Sequence, residues 1–466
     1  MQDVSVSSNP SAATPGLRRS KPGTFLRAAL LTSAILLCSF STAMGQAGSL
    51  DSTFATGGIF LDSAGIFNNM GTIGTVVALQ SNGQIIVGGQ IGFAAAVVRL
   101  NTNGTFDSSF GTGGTVTVSF PGSNNGPSQV VGVAVQSDGK ILAAISNSFA
   151  DDSPMFILAR LDTNGSLDTT FGTAGIIETT INPPFGATLD VMALQPNGKI
   201  LLAGASAMAR YDTSGQLDTT FGTGGIATIL AITPTAIALQ PDGKILIADG
   251  GNSTAGIQPF GPGFASPAGT ISRYKTNGSI DAAFGIFGQA ASVAAISAIT
   301  VEIQNGCVST CNILVAGTAL GDTGNPGFGL VRFKSNGTID TTFGTKGGVI
   351  TGFSPSTSGS TDHLASAFAV VLQANGDIVA AGAAGPPSGA PAAASAFALV
   401  RYSATGVLDP TFGSSGEVTT LFGNNTAAIY ALALQSNGDI VAAGSSQHNV
   451  QGNQTGGLVV ARYLAQ

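Results

Sequence analysis

Few side chains in this sequence are of the types that carry chemistry. The two histidines, His363 and His448, fall in separate stretches rich in small and polar residues. Asp362 sits beside His363, and Asp151 precedes Asp152; either acid pair has the residue types for acid–base work or for holding a metal. Adjacency in sequence does not make groups converge, however, and convergence is what catalysis requires. The pair Cys307 and Cys311, in "NGCVSTCN", lacks the second ligand pair of a zinc site and reads as a local disulfide stitching an enlarged turn. "DTNGSLD" at 162–168 begins like a calcium loop but lacks the later ligands. Other copies of that stretch put Asn101, Lys275, Lys334 or Ser403 where the first acid stands. "NGS" and "NGT" match glycosylation acceptors, and tight-turn chemistry accounts for them equally. H-E-x-x-H, G-x-S-x-G, phosphate-loop and dinucleotide patterns are absent from the contexts they require. These residues predict no catalytic set, no metal and no cofactor.

The elements that would position any site are written into the composition. Of 466 residues 66 are glycine and only 9% are charged, with no tryptophan and 43% hydrophobic content. Short strands joined by tight turns suit that mixture, whereas helices would need charged faces. Arg18, Arg19, Lys21 and Arg27 precede the apolar run "AALLTSAILLCSF" (28–40), and small residues follow, so residues 1–45 read as a removable secretion signal. Leu37 is a poor fit before Cys38 for lipoprotein processing. Removal would leave 13 basic residues against 23 acidic ones in 46–466. That balance argues against a nucleic-acid partner, and no later segment is long and apolar enough to span a bilayer. The expected location is secreted or extracytoplasmic.

Seven copies of one unit fill the remainder. Aspartates recur at Asp51, Asp107, Asp168, Asp218, Asp281, Asp340 and Asp409, each three residues before a phenylalanine. Arginines recur at Arg99, Arg160, Arg210, Arg273, Arg332, Arg401 and Arg462. A glutamine close before Asn-Gly or Asp-Gly is a third marker, from which the fifth copy, "EIQNGCVSTCNIL", departs. One copy reads as strand "VMALQ", turn "PNG", strand "KILLAG", strand "AMARY", turn "DTSG", connection "QLDTTFGTGG" and strand "IATIL". Four short antiparallel strands repeated seven times predict an all-β fold, a seven-bladed β-propeller. Six arginines are followed by an aspartate eight residues later; Arg462 has none after it and Asp51 no arginine before it. A ring repairs the split pair, with residues about 49–62 supplying the outer strand of the blade at 429–463. Closure also removes the strand edges an open array would expose.

The stretches "LDTTFGTGG", "ALQPDGKILIAD" and "RYKTNGSID" resemble the delta-60 repeat family of bacterial β-propeller proteins and, more loosely, NHL-type propellers. The resemblance covers essentially 48–466 and implies a fold but no reaction. Each repeat aspartate is expected to cap its own turn and to meet the arginine eight residues earlier, or its counterpart in the adjacent blade. Spacing then separates two faces. Arginine to aspartate is always eight, whereas glutamine to arginine runs from 15 (195 to 210) to 33 (240 to 273). The long connections, 146–155, 249–270, 319–329, 382–395 and 445–457, therefore share one face, where binding would sit. The expected function is a monomeric, non-enzymatic module binding an unknown protein or carbohydrate there. The alternative is a propeller-type hydrolase or lyase acting on an extracellular polymer.

Overall fold

The computed structural model describes 45–466 apart from 63–75, 121–126, 148–154, 182–188, 205, 232, 251–268, 293–294, 303–306, 322–325, 354–364, 386–394 and 451–452, together with the side chains of 448–456. It contains seven four-stranded antiparallel sheets. Six are built from consecutive strands. The seventh takes its outer strand, Ile59–Leu61, from the beginning of the chain and pairs it with Asn453–Tyr463. The architecture is the seven-bladed ring expected from the repeats, closed as the split arginine–aspartate pair requires.

Each blade begins at the axis with its first strand: Val76–Leu79, Ser128–Val135, Leu189–Leu194, Pro234–Leu239, Ala295–Glu302, Ser366–Leu372 and Thr426–Leu434. Neighbouring first strands touch in order around the whole circle, the seventh against the first. The second strand returns through a tight turn in which Gly198, at φ 81°, takes a conformation that a side chain would strain. Alternation is weak along the second and third strands, because both of their faces are covered. Ile200–Gly204 and Ala207–Tyr211 are buried at every residue. The apolar side chains form seven clusters, each shared by two adjacent blades. The cluster that shuts the ring combines Phe54, Phe60, Ile85, Val87, Val98 and Leu100 with Val441, Ala443, Leu458 and Val460.

A polar clasp repeats once per blade on the face of the short turns. Arg160 Nε meets Asp168 Oδ2 at 2.7 Å, and its guanidinium carbon lies 4.2 Å from the Phe171 ring centroid. Asp168 Oδ1 accepts from Thr170 N at 3.0 Å, which fixes the turn before Phe171. The other arm of Arg160 donates to Thr213 O in the next blade at 2.8 Å. Arg462 makes the same set with Asp51, Phe54 and Thr102 O, so the seventh clasp spans the two ends of the chain. A guanidinium held in a fixed fork over an aromatic face suits this role better than an ammonium would. The repeat motif thus serves as a frame, joining each blade to the next. Among the described residues no helix is long and apolar enough to cross a membrane.

Candidate functional site: a bulge ring on the innermost strands

Six of the seven axial strands carry one β-bulge at the same register. The irregularities lie between Val130 and Gly132, Leu189 and Val191, Pro234 and Ala236, Ile296 and Ala298, Ala367 and Ala369, and Ile429 and Ala431. The extra residues are Val131, Asp190, Thr235, Ser297, Phe368 and Tyr430. The equivalent first-blade position, 75, lies outside the described residues. Each extra residue is at least partly exposed, and the residue before it is buried. A bulge leaves one residue unpaired and re-aims its side chain, which is why bulges collect beside active sites.

The ring they form is chemically sorted. Phe368 and Tyr430, from neighbouring blades, lie with ring centroids 5.6 Å apart and planes tilted by 34°. Away from the aromatic pair come Ser297, Thr235 and Asp190, one per blade. Thr235 Oγ1 donates to Ile296 O at 2.9 Å and so ties the fourth blade to the residue just before Ser297. Asp190 is the single carboxylate of the six. At the other end of the axis, toward the short turns, Val301, Leu372, Gln373 and Leu434 from three successive blades line a cleft of about 660 Å³.

A second polar feature lies at the turn end of the fifth axial strand. Register aligns Glu302 with Gln80, Gln136, Gln195, Gln240, Gln373 and Gln435, since Val301 opposes Ile313 as Leu194 opposes Ile200. Glu302 is 4% exposed. Its Oε2 accepts from Asn312 Nδ2 at 3.2 Å and lies 3.6 Å from Arg332, while Oε1 has no hydrogen-bond partner among the described residues. Burial pushes its carboxyl above the usual range, against the pull of Arg332.

Other residues singled out by the sequence fall differently. Cys307 and Cys311 are joined by a disulfide with Cα atoms 5.3 Å apart. Asp151, Asp152, Asp362 and His363 lie outside the described residues, as does the side chain of His448. So do most of the residues of 146–155, 249–270 and 382–395, 322–325 within 319–329, and the side chains of 448–456 within 445–457. Among the described residues no three His, Cys, Asp or Glu side chains come together as metal ligands. Sequence reasoning missed the bulge ring, although a signal exists: every extra residue stands five positions before the glutamine marker, or before Glu302 in the fifth repeat.

Five segments, 80–110, 136–171, 195–221, 312–343 and 373–412, match the family described as "Domain of unknown function (DUF5122) beta-propeller". No curated protein sequence matches the chain. Solved structures that align with it include a selenomethionine-substituted virginiamycin B lyase from Staphylococcus aureus, at 11% identity over 86% of this chain and 97% of that one, with a TM-score of 0.44. Polysaccharide lyase Uly1 aligns at 10% identity over 83% and 89%, with a TM-score of 0.40. The PQQ-bound aldose sugar dehydrogenase from Streptomyces coelicolor aligns at 10% over 87% and 98%, with a TM-score of 0.38. The proteins these structures name are enzymes, in contrast to the non-enzymatic binding module expected from the sequence. The six extra residues lie in different repeats, so no sequence motif spells the ring. The resemblance to delta-60 and NHL-type propellers resolves to the coarser statement: the chain is a seven-bladed β-propeller, five segments of which match the DUF5122 β-propeller model.

Proposed function

We propose that this propeller is a hydrolase or lyase acting on an extracellular polymer, with its reaction centre at the bulge ring. The observation that carries the reading is the register itself. Six repeats carry a bulge at one level of the axis, and the extra residues there comprise one aliphatic side chain, an aromatic pair, two hydroxyls and one carboxylate. Phe368 and Tyr430 offer flat apolar surface with a polar tip, which suits the faces of ring-shaped units in a chain. Asp190 is the acid–base group. In hydrolysis its carboxyl protonates the leaving oxygen; in elimination its carboxylate takes up the proton removed from carbon. The bulges lie near the starts of the axial strands, at the end away from the short turns, so a polymer laid across that end reaches Asp190. The export signal read at 1–45 belongs to the same proposal, since export would bring the enzyme to where such polymers are met.

The test is turnover of a polysaccharide panel by the mature protein and by Asp190→Asn. Loss of about 10²–10⁴-fold in rate with an unchanged melting temperature is expected. A variant as fast as the parent removes the bulge ring from the chemistry.

A further inference from the structure

On the face of the short turns, the fourth blade departs from the other six at two residues. The turn leading into each outer strand reads Thr-Gly-Gly, Thr-Ala-Gly, Thr-Lys-Gly or Ser-Ser-Gly in those six, and Ile286-Phe287-Gly288 in the fourth. Its middle residue is left-handed in every blade: Gly57, Gly113, Ala174, Gly224, Phe287, Lys346 and Ser415 have φ from 52° to 63°. A Cβ added to Gly57, Gly113 or Gly224 would meet nothing within 4 Å. Phenylalanine at this place strains the backbone, and its ring stands 85% exposed. Ile286 is also exposed. Neither turn geometry nor packing accounts for the pair.

Unpaired cations stand beside it. Lys140, Lys199 and Lys244, in the turns between first and second strands, each meet an aspartate. Lys275, Lys334 and Lys346 lie between the third and fourth strands of the fourth and fifth blades. They are exposed and make no ion pair among the described residues. The only acids in those two connections are Asp281 and Asp340, both buried against clasp arginines. Gly285 N donates to Asn336 O at 2.8 Å, which seats the turn begun by Lys334 against the one bearing Ile286 and Phe287. Gly344 N donates to Thr405 O at 2.9 Å, which brings the turn of Lys346 against the one holding the exposed Val407. Lys275, Ile286, Phe287, Lys334, Lys346 and Val407 thus follow one another across three successive blades.

We infer that this arc docks the propeller on a bilayer containing anionic lipids. A protruding ring flanked by cations matches the interface of such a bilayer. Phe287 and Ile286 enter the boundary of the acyl chains without needing a fitted pocket. The lysines lay their stems alongside and hold their ammonium groups at the lipid phosphates. A protein partner matches less well, since a stable interface covers about 800 Å² on each side around a packed apolar centre. Here the apolar surface is a few side chains strung along a curve. With 13 basic residues against 23 acidic ones after residue 45, most of the molecule is turned away from anionic headgroups, and the arc leads. Contact there leaves the bulges, at the other end of the axial strands, clear of the bilayer.

Flotation of the mature protein with vesicles tests this, using phosphatidylcholine alone and phosphatidylcholine mixed with phosphatidylglycerol. Recovery with the anionic vesicles should exceed that with the neutral ones at least about tenfold, and high salt should remove the difference. Phe287→Gly should weaken binding about tenfold yet melt no lower than the parent, because glycine relaxes the turn. Lys334→Ser combined with Lys346→Ser should lose the anionic preference. Phe93→Ser removes an exposed ring between the second and third strands of the first blade, at the opposite end, and should bind as the parent does. Absence of recovery with anionic vesicles, or recovery that Phe287→Gly retains, overturns the inference. Loss of binding in Phe93→Ser overturns it too, by moving the contact to the other end. Self-association of the parent that Phe287→Gly abolishes, without vesicle binding, assigns the arc to a second copy of the chain and overturns it as well.

Discussion

Asp168 and Asp281 occupy the same place in different blades yet hold different company. Asp168 accepts from Arg160, from Lys140 at 2.6 Å, and from the amide and hydroxyl of Thr170. Asp281 has Arg273 and the amide of Ala283, where no hydroxyl is available. Removing one partner of a buried pair strands the other charge and costs about 3–5 kcal/mol. Urea unfolding should therefore show Asp168→Ala losing about that much, and Asp281→Ala measurably less. Lys140 leads the groups that hold the Asp168 carboxyl far below its usual range. For Asp107, burial works upward but is outweighed by Ser109 and Arg99, which bring it to about 2. Depressed carboxylates stabilise the fold above their unfolded pKa of about 3.9, and that contribution is lost as pH falls through the folded values. The melting temperature should accordingly drop between pH 4 and about pH 2, less steeply in Asp168→Asn. Glu302 has the opposite sign. Its raised pKa makes the ionised form a cost that develops as pH rises from the unfolded pKa through the folded one, and six repeats place glutamine there. Glu302→Gln should raise the melting temperature at pH 8 and change it little at pH 4; a loss at pH 8 would show that the contact with Arg332 outweighs burial.

At the level of strands and turns, legibility followed constancy. The arginine-to-aspartate interval of eight could be read directly because one turn geometry recurs seven times, and a fixed turn fixes spacing. Ile59–Leu61 as the missing outer strand could be read because a split pair must be completed somewhere. The bulges could not. A bulge adds one residue to a strand without changing its composition, and Val131, Asp190, Thr235, Ser297, Phe368 and Tyr430 share no chemistry that would align them. Their common distance of five residues from the glutamine marker gains meaning only once pairing to the second strand shows a bulge at that level. Glu302 is hidden for a related reason: in the repeat carrying Cys307 and Cys311, the Asn-Gly follows Gln304 directly rather than the marker position. The outer strand itself invites a test. A chain beginning at residue 63 leaves Asn453–Tyr463 with an open edge and Arg462 without Asp51. Such edges pair with whatever strand they meet, so light scattering should show association where the longer chain stays dispersed.

Across the whole molecule, two gradients run along one axis. Sequence uniformity is greatest at the clasps and falls toward the long connections, and positive charge follows the same course. The end that binds blades together is regular, while the opposite end is left to vary without disturbing the frame. The composition of the whole pointed toward strands, and repeat arithmetic gave their number; the role proposed for the ring was not legible because its residues are shared among six blades. The closing strand also has a temporal meaning. Ile59–Leu61 leaves the ribosome among the earliest parts of the fold, and its partner Asn453–Tyr463 among the last. Blades can accumulate one upon another as the chain emerges, each against its predecessor, but the circle stays unlatched until Asn453–Tyr463 has appeared. The growing protein must keep its opening segment waiting for some four hundred residues, and anything that captures that segment early would leave a spiral in place of a disc.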